Sequence, residues 1–230
     1  MPKLALLLAA VFALFAAGCG GKDEEKKAPT TATAVETTAP ETDAAGCRVV
    51  EAPAPRGQGT ESKPTLKLSP SKSYVVTLKT NCGDIAIALD VKRAPKTTAA
   101  FGSLVDKGFY DGLTFHRVQA EFVIQGGDPQ GNGLGGAGYN VVEQPPSDLQ
   151  YRRGVVGMAK SQIDAPGTSS SQFFIVTGEN LGLPPIYALL GRVKSGMATI
   201  NRIITEPVDG PLSSPLNPVV IESATIDPAP

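Results

Sequence analysis

LTFHRVQAEFVIQGGD (113–128) places the chain's only histidine, His116, beside Arg117, between two runs that read as strands. Within EFVIQGG (121–127), strand alternation puts Phe122 and Ile124 on one face and Val123 and Gln125 on the other. SQFFIVT (171–177) repeats the arrangement, with Gln172 and Phe174 on the face away from Phe173 and Ile175. Each strand thus carries a glutamine on the face opposite its most continuous apolar one. In a small barrel whose interior is filled, a wet groove holding both amides and aromatic rings belongs on the outer wall.

The flanking chain is mostly strand. SYVVTLKT (73–80) and DIAIALD (84–90) are separated by NCG, and Ile85, Ile87 and Leu89 alternate with Ala86 and Ala88, which predicts a hairpin. APKTTAAFGSLVDKG (94–108) switches to helical spacing: Phe101, Leu104 and Val105 share a face, Pro95 suits a first turn and Gly108 a stop. SGMATINRIIT (195–205) offers Met197, Ile200, Ile203 and Ile204 for a second helix. LTFHRV, EFVIQGG, GVVGMA, SQFFIVT, YALLGRV and VVIESATI supply further strands. Many short strands with two helices predict a mainly β fold, a closed barrel with capped ends.

At 230 residues with 41% hydrophobic content, the chain can bury one good core. A formal charge of −1, no tryptophan and no basic stripe leave no electrostatic footprint for nucleic acid. Gly131, Gly133 and Gly136 in GNGLGGAG formally fit a dinucleotide fingerprint. That fingerprint needs a helix to begin there, whereas Pro145-Pro146 follow, so the segment reads as a surface loop.

MPKLALLLAAVFALFAAGCG has one early cation, Lys3, an apolar run too short to span a bilayer comfortably, and small residues before a cysteine. It resembles a bacterial lipoprotein signal, Ala16-Ala17-Gly18-Cys19 standing in the lipobox position with Ala16 where leucine is usual. That resemblance implies removal of residues 1–18 and lipidation of Cys19, and hence a membrane anchor on the extracytoplasmic face. The alternative is an ordinary secretory signal. Residues 19–71, rich in Lys, Glu, Thr, Ala and Pro, read as a flexible tether, leaving 72–230 as the domain. Cys47 and Cys82 are a disulfide candidate in an oxidising compartment, with two free thiols as the alternative. One histidine and two cysteines at this spacing match no zinc pattern, and nothing calls for a metal or cofactor.

FHRVQAEFVIQGGD, GVVGMAK and SSSQFFIVT, in this order and at these separations, resemble the signature segments of the cyclophilin family of peptidyl-prolyl cis-trans isomerases. The resemblance covers about residues 72–228. It implies an eight-stranded antiparallel barrel closed by two helices, with the active groove on its outer surface and proline-containing polypeptides as substrates. By position, Arg117 resembles the catalytic arginine and His116 the neighbouring groove histidine. Phe122, Val123, Phe174 and Leu183 would line the proline pocket with Met158 in support. Gln125 and Gln172 would hold the peptide backbone, joined by main-chain groups around Ala159 and Lys160.

The chain departs from the family pattern in several places. VQAE stands where Pro-Gly commonly precedes the phenylalanine, Val123 replaces a frequent methionine, and Lys160 a common asparagine. The tryptophan associated with tight cyclosporin binding is missing, Gly182 lies near its place, and Tyr187 falls where a second histidine is often seen, so weak cyclosporin binding is expected. Two rival readings remain: a chaperone module that holds proline-containing chains without turning them over, and an envelope scaffold. Retention of Arg117 argues against the first. No oligomeric signal is visible, and a monomer is the default.

Overall fold

The computed structural model describes residues 41–229, so the expected signal segment, Cys19 and residues 20–40 of the expected tether lie outside the described residues. Chain order is β1 (Ser73–Thr80), β2 (Gly83–Leu89), α1 (Pro95–Asp106), β3 (Leu113–Thr114), β4 (Arg117–Gln119), β5 (Val123–Gly126) and β6 (Val141–Val142). There follow β7 (Val155–Met158), β8 (Thr168–Ser169), β9 (Phe173–Val176), β10 (Leu189–Ser195), α2 (Met197–Ile203), β11 (Val208–Asp209), β12 (Ser214–Pro215) and β13 (Val220–Ala229). Nine strands form one antiparallel, strongly curled sheet in the order β3-β13-β1-β2-β10-β7-β9-β5-β4. The sheet with its two helices is mainly β, the predicted class.

One expected strand is broken. LTFHRV divides into β3 and β4 between Phe115, whose N–H still reaches Val219 O at 2.9 Å in line with the β3–β13 pairing, and Val118, whose N–H goes to Ser213 O at 2.9 Å. The two ends of the ladder are therefore halves of one interrupted strand, and counting them as one recovers the eight predicted strands. Across the break no hydrogen-bonded ladder joins the edges among the described residues.

Burial follows the alternation of the strands. Val76, Leu78, Ile85, Ile87, Ile124, Phe173 and Ile175 face inward with Phe101 and Leu104 of α1 and Ile200 and Ile203 of α2. Phe173 is the hub, its ring meeting Phe101, Phe115 and Tyr110 edge-on at centroid distances of 5.5, 5.7 and 5.8 Å. Helix α1 begins at Pro95 without a local side-chain cap; instead Glu143 accepts from the N–H groups of Lys96 (3.0 Å) and Thr97 (2.8 Å). A distant carboxylate thus supplies both the missing acceptor and the charge favoured at a helix N-terminus.

The expected tether ends earlier than residue 71, because residues 41–71 are held against the domain. Cys47 is joined to Cys82 by a disulfide, Thr42 bridges Arg48, and Arg48 donates its N–H to Asn81 O at 2.9 Å. Further on, the N–H groups of Arg56, Gly59 and Glu61 reach Pro129 O, Gly136 O and Ala137 O at 2.7, 2.9 and 2.8 Å. Composition alone misleads here because the segment is secured by a covalent bond and backbone pairing rather than by apolar burial.

Candidate active site on the outer face of the sheet

On the face turned away from the helices, the strand registers align one row. Arg117 of β4 lies opposite Gln125 of β5, Gln125 opposite Phe174 of β9, Phe174 opposite Gly157 of β7, and Gly157 opposite Leu189 of β10. Same-face positions in neighbouring strands touch through their side chains, so a cation, an amide and an aromatic ring are held side by side by the sheet. The ring of Phe174 lies across Gly157: a Cβ there would sit 2.6 Å from Phe174 Cζ, so this position has room only for glycine.

Around the row is a second apolar cluster, separate from the inner core. Val123, Leu149, Tyr151, Val155, Phe174, Val176 and Leu189 are buried in it, with Phe122, Ala159, Leu183 and Tyr187 packed half-exposed along its rim. Phe122 corrects the alternation argument, which placed it with Ile124. It precedes β5, and Glu121 adopts a positive φ of 57°, so Phe122 is turned out to join Val123 and Phe174. Its ring lies 5.3 Å from the guanidinium carbon of Arg117, which also donates to Gln119 Oε1 at 2.8 Å. The half-buried arginine is thereby fixed at the end of the row by a cation–π contact and an amide.

Gln125 donates through Nε2 to Gln172 Oε1 at 2.8 Å, while Gln172 Nε2 donates to Gly133 O and Gly135 O at 3.0 and 2.8 Å. The buried amide of Gln172 is fully engaged, which leaves the Gln125 carbonyl oxygen as the free polar group beside Arg117. Next to the two glutamines opens a pocket of about 260 Å³ that also takes in Ala159, Lys160 and the glycine loop. Lys160 sends its ammonium back to Ser161 O (2.8 Å) and Asp164 O (2.9 Å), with Nζ 5.9 Å from the Tyr187 ring. Tyr187 meets Phe174 edge-on at 5.5 Å, closing the aromatic wall.

Three sequence-predicted residues sit differently from expectation. Met158 is fully buried in the inner core opposite Phe173, because strand parity sends Val156 and Met158 inward and Val155 and Gly157 outward. The Ala159 N–H is already donated to Gln172 O at 2.9 Å, so it braces the sheet and is not free for a peptide. His116 is only 4% exposed, with both ring nitrogens buried and without hydrogen-bond partners. Burial lowers its pKa, partly opposed by the Asp128 carboxylate and reinforced by Arg117.

Sequence reasoning overlooked the residues that hold this surface in place. Asp128, itself buried, accepts from the N–H groups of Gln130, Asn132 and Gly133 at 2.8, 3.0 and 2.6 Å, and so organises the glycine loop that in turn holds Gln172. An aspartate before a Pro- and Gly-rich stretch is the turn signal that could have found it. Tyr151 donates to Tyr187 O at 2.7 Å and accepts from Tyr187 N at 3.0 Å; burial leads in pushing its hydroxyl up to about 12, so it remains a donor.

Residues 75–226 match the family model described as cyclophilin type peptidyl-prolyl cis-trans isomerase/CLD. Peptidyl-prolyl cis-trans isomerase A of Mycobacterium tuberculosis is 39% identical over 176 residues, spanning 69% of this chain and 94% of that protein. Peptidyl-prolyl cis-trans isomerase-like 3 of Rattus norvegicus is 38% identical over 155 residues, spanning 66% and 94%. Among solved structures, a Cryptosporidium parvum cyclophilin type peptidyl-prolyl cis-trans isomerase, crystallised in the presence of the dipeptide Ala-Pro, superposes with a TM-score of 0.62 at 32% identity. That match covers 66% of this chain and 98% of that one. With a match over most of the domain and a groove built on the outer face of its curled sheet, the chain belongs to the cyclophilin family of peptidyl-prolyl cis-trans isomerases.

Proposed function

We propose that the chain accelerates X–Pro rotation in extracytoplasmic polypeptides, with Arg117 as the group that lowers the barrier and Cys19 as the lipid-bearing anchor. The row Arg117–Gln125–Phe174 carries the reading of the site. An X–Pro bond resists rotation by ~18–20 kcal/mol because the nitrogen lone pair is delocalised into the carbonyl. A donor directed at that nitrogen favours the pyramidal form reached at the twisted transition state. Arg117 remains protonated and holds its N–H groups in a rigid fork, so it stabilises that form without transferring a proton.

Val123, Phe174 and Phe122 give the prolyl ring an apolar seat, and the Gln125 carbonyl is available to a peptide N–H. With the ring seated and the backbone held on one side, rotation is confined to the other. No covalent intermediate is required, and His116, buried with both ring nitrogens unpartnered, takes the role of a packing residue. Lys160 and Tyr187 line the far end of the groove, and Leu183 adds apolar wall.

Protease-coupled turnover of an Ala-Pro tetrapeptide tests the chemistry. Wild type should exceed the uncatalysed rate, and Arg117→Lys should recover little of what Arg117→Ala loses, since a single ammonium cannot reproduce the fork. Wild-type turnover equal to background in a folded protein would leave a binding module. The anchor has its own test: in bacterial cells the full chain should be found in the membrane fraction and Cys19→Ala outside it, and equal partition of the two would remove the lipid anchor from the proposal.

A further inference from the structure

The segment before β1 lies outside the span matched by the family model, yet it reaches the groove. Gln58 stands at the mouth of the pocket that Gln125 and Gln172 share with Lys160 and Asp164. Its position is built rather than incidental. The backbone on either side is tied to the glycine loop through Arg56 N–Pro129 O, Gly59 N–Gly136 O and Glu61 N–Ala137 O. The approach is so close that a Cβ on Gly59 would lie 2.5 Å from Gly136 O, and one on Gly138 would lie 2.3 Å from Gly59 O. Both sides of the contact therefore require glycine.

Side chains fix the ends of the same stretch. Arg56 donates to Phe109 O and covers the Phe109 ring at 5.4 Å, and Glu61 pairs with Lys107 at 2.8 Å. Upstream, the Cys47–Cys82 disulfide sets where the segment begins its path. Gln58 itself is exposed, lines the pocket and forms no side-chain hydrogen bond among the described residues, so its amide is open to a ligand.

We propose that Gln58 is a specificity-determining residue of the peptide site, giving the side pocket a preference for an uncharged hydrogen-bonding side chain beside the substrate's proline. Several of the pocket's other polar groups are committed, whereas Gln125 Oε1 and the Asn140 amide make no hydrogen bond among the described residues. Gln172 is bound to two carbonyls, the Lys160 ammonium to two more, and Asp164 Oδ2 accepts from Ser161 N at 3.0 Å. Gln58 supplies a donor and an acceptor together, which suits an amide side chain of glutamine length better than an apolar one of the same size. The inference rests on the groove being the peptide site, as argued above.

The test uses the full chain and a peptide panel in which Gln or Met occupies, one at a time, each position flanking an Ala-Pro centre. Wild type should favour Gln over Met by roughly threefold to tenfold at one position, the range given by one uncharged hydrogen bond. Gln58→Leu should abolish that preference while leaving turnover of the Met peptides within about twofold of wild type, since only the hydrogen bond is removed. Gly59→Val, which cannot approach Gly136, should reproduce the loss. A Gln preference that survives in both variants, or none in wild type while turnover is normal, overturns the role of Gln58 and leaves the isomerase intact. Absent turnover with a Gln58-dependent dissociation constant over the same panel would instead overturn the catalytic reading and retain the subsite.

Discussion

The two faces of the curled sheet are made from the same strands and do different things. On the inner face, Phe173 and Ile175 lie in the apolar core, where the Phe173 ring meets Phe101 of α1. On the outer face, one residue further along the same strand, Phe174 is flanked by Gln125, Gly157 and Tyr187. Consecutive phenylalanines thus face the core and the candidate groove separately, because a strand's period of two sends neighbours to opposite sides. Chemistry can be placed on the outer face without disturbing the packing that holds it.

Substitutions can break this division, beginning with the largest expected effect. Phe173→Ala should cost about 3–5 kcal/mol in urea unfolding, since it opens a cavity among Phe101, Phe115 and Tyr110. At a temperature where the variant remains folded, its KM should change little. Phe174→Ala should instead raise KM at least severalfold; equal effects of the two on KM would erase the distinction between the faces.

Cys47→Ser with Cys82→Ser opens a loop closed over a sequence separation of 35, a loss of ~3–4 kcal/mol in chemical denaturation. The outer row is independent of that bond, so turnover by the folded variant should persist. Arg117→Ala should lower kcat/KM by about 100-fold, equivalent to about 2.7 kcal/mol, while changing the unfolding midpoint hardly at all, because the guanidinium is only half-buried.

The smallest effect concerns pH. Glu206 is buried near the disulfide, and burial, then the Asp43 carboxylate, raises its pKa from 4.5 to about 7. A folded pKa above the unfolded one means that its contribution is complete below pH 4.5 and disappears as the pH rises through 7. Glu206→Gln, which has no proton to lose, should flatten the decline in stability between pH 5 and pH 8 by about 1–2 kcal/mol. His116 acts in the opposite sense: its lowered pKa gives stability that is present above the ordinary histidine value and is lost as the pH falls below it. An unchanged slope in Glu206→Gln would show that the carboxyl is already ionised in the fold.

What the sequence made legible was whatever local alternation or end signals determine. Ile85, Ile87 and Leu89 point inward as their spacing predicts, Pro95 opens α1, and the opposite facing of Phe173 and Phe174 was visible in a single strand. Phe122 escaped because one positive φ at Glu121 resets the alternation, which a period-two reading cannot anticipate. The break between Phe115 and Val118 escaped because the backbone partners there pass from residue 219 to residue 213, far along the chain. Residues 41–71 were read as a tether from their composition, yet a disulfide and a run of backbone hydrogen bonds secure a segment that buries little apolar surface. Gln58 and Asp128 were invisible for the same reason, since Gln58 is placed by its neighbours' backbone bonds to Pro129, Gly136 and Ala137, and Asp128 acts through backbone N–H groups that have no letter in the sequence.

In the proposed function, substrate meets the outer face along the row from Arg117 to Phe174. Titration of the isotopically labelled protein with an Ala-Pro peptide, followed through backbone amide shifts, tests it most directly. Shifts concentrated at Arg117, Phe122, Val123, Gln125, Gln172 and Phe174, with Val76, Leu78, Ile85 and Ile87 unmoved, are the predicted result. Shifts centred instead on the cleft between α1 and Leu66–Leu68, with the row unmoved, would contradict it.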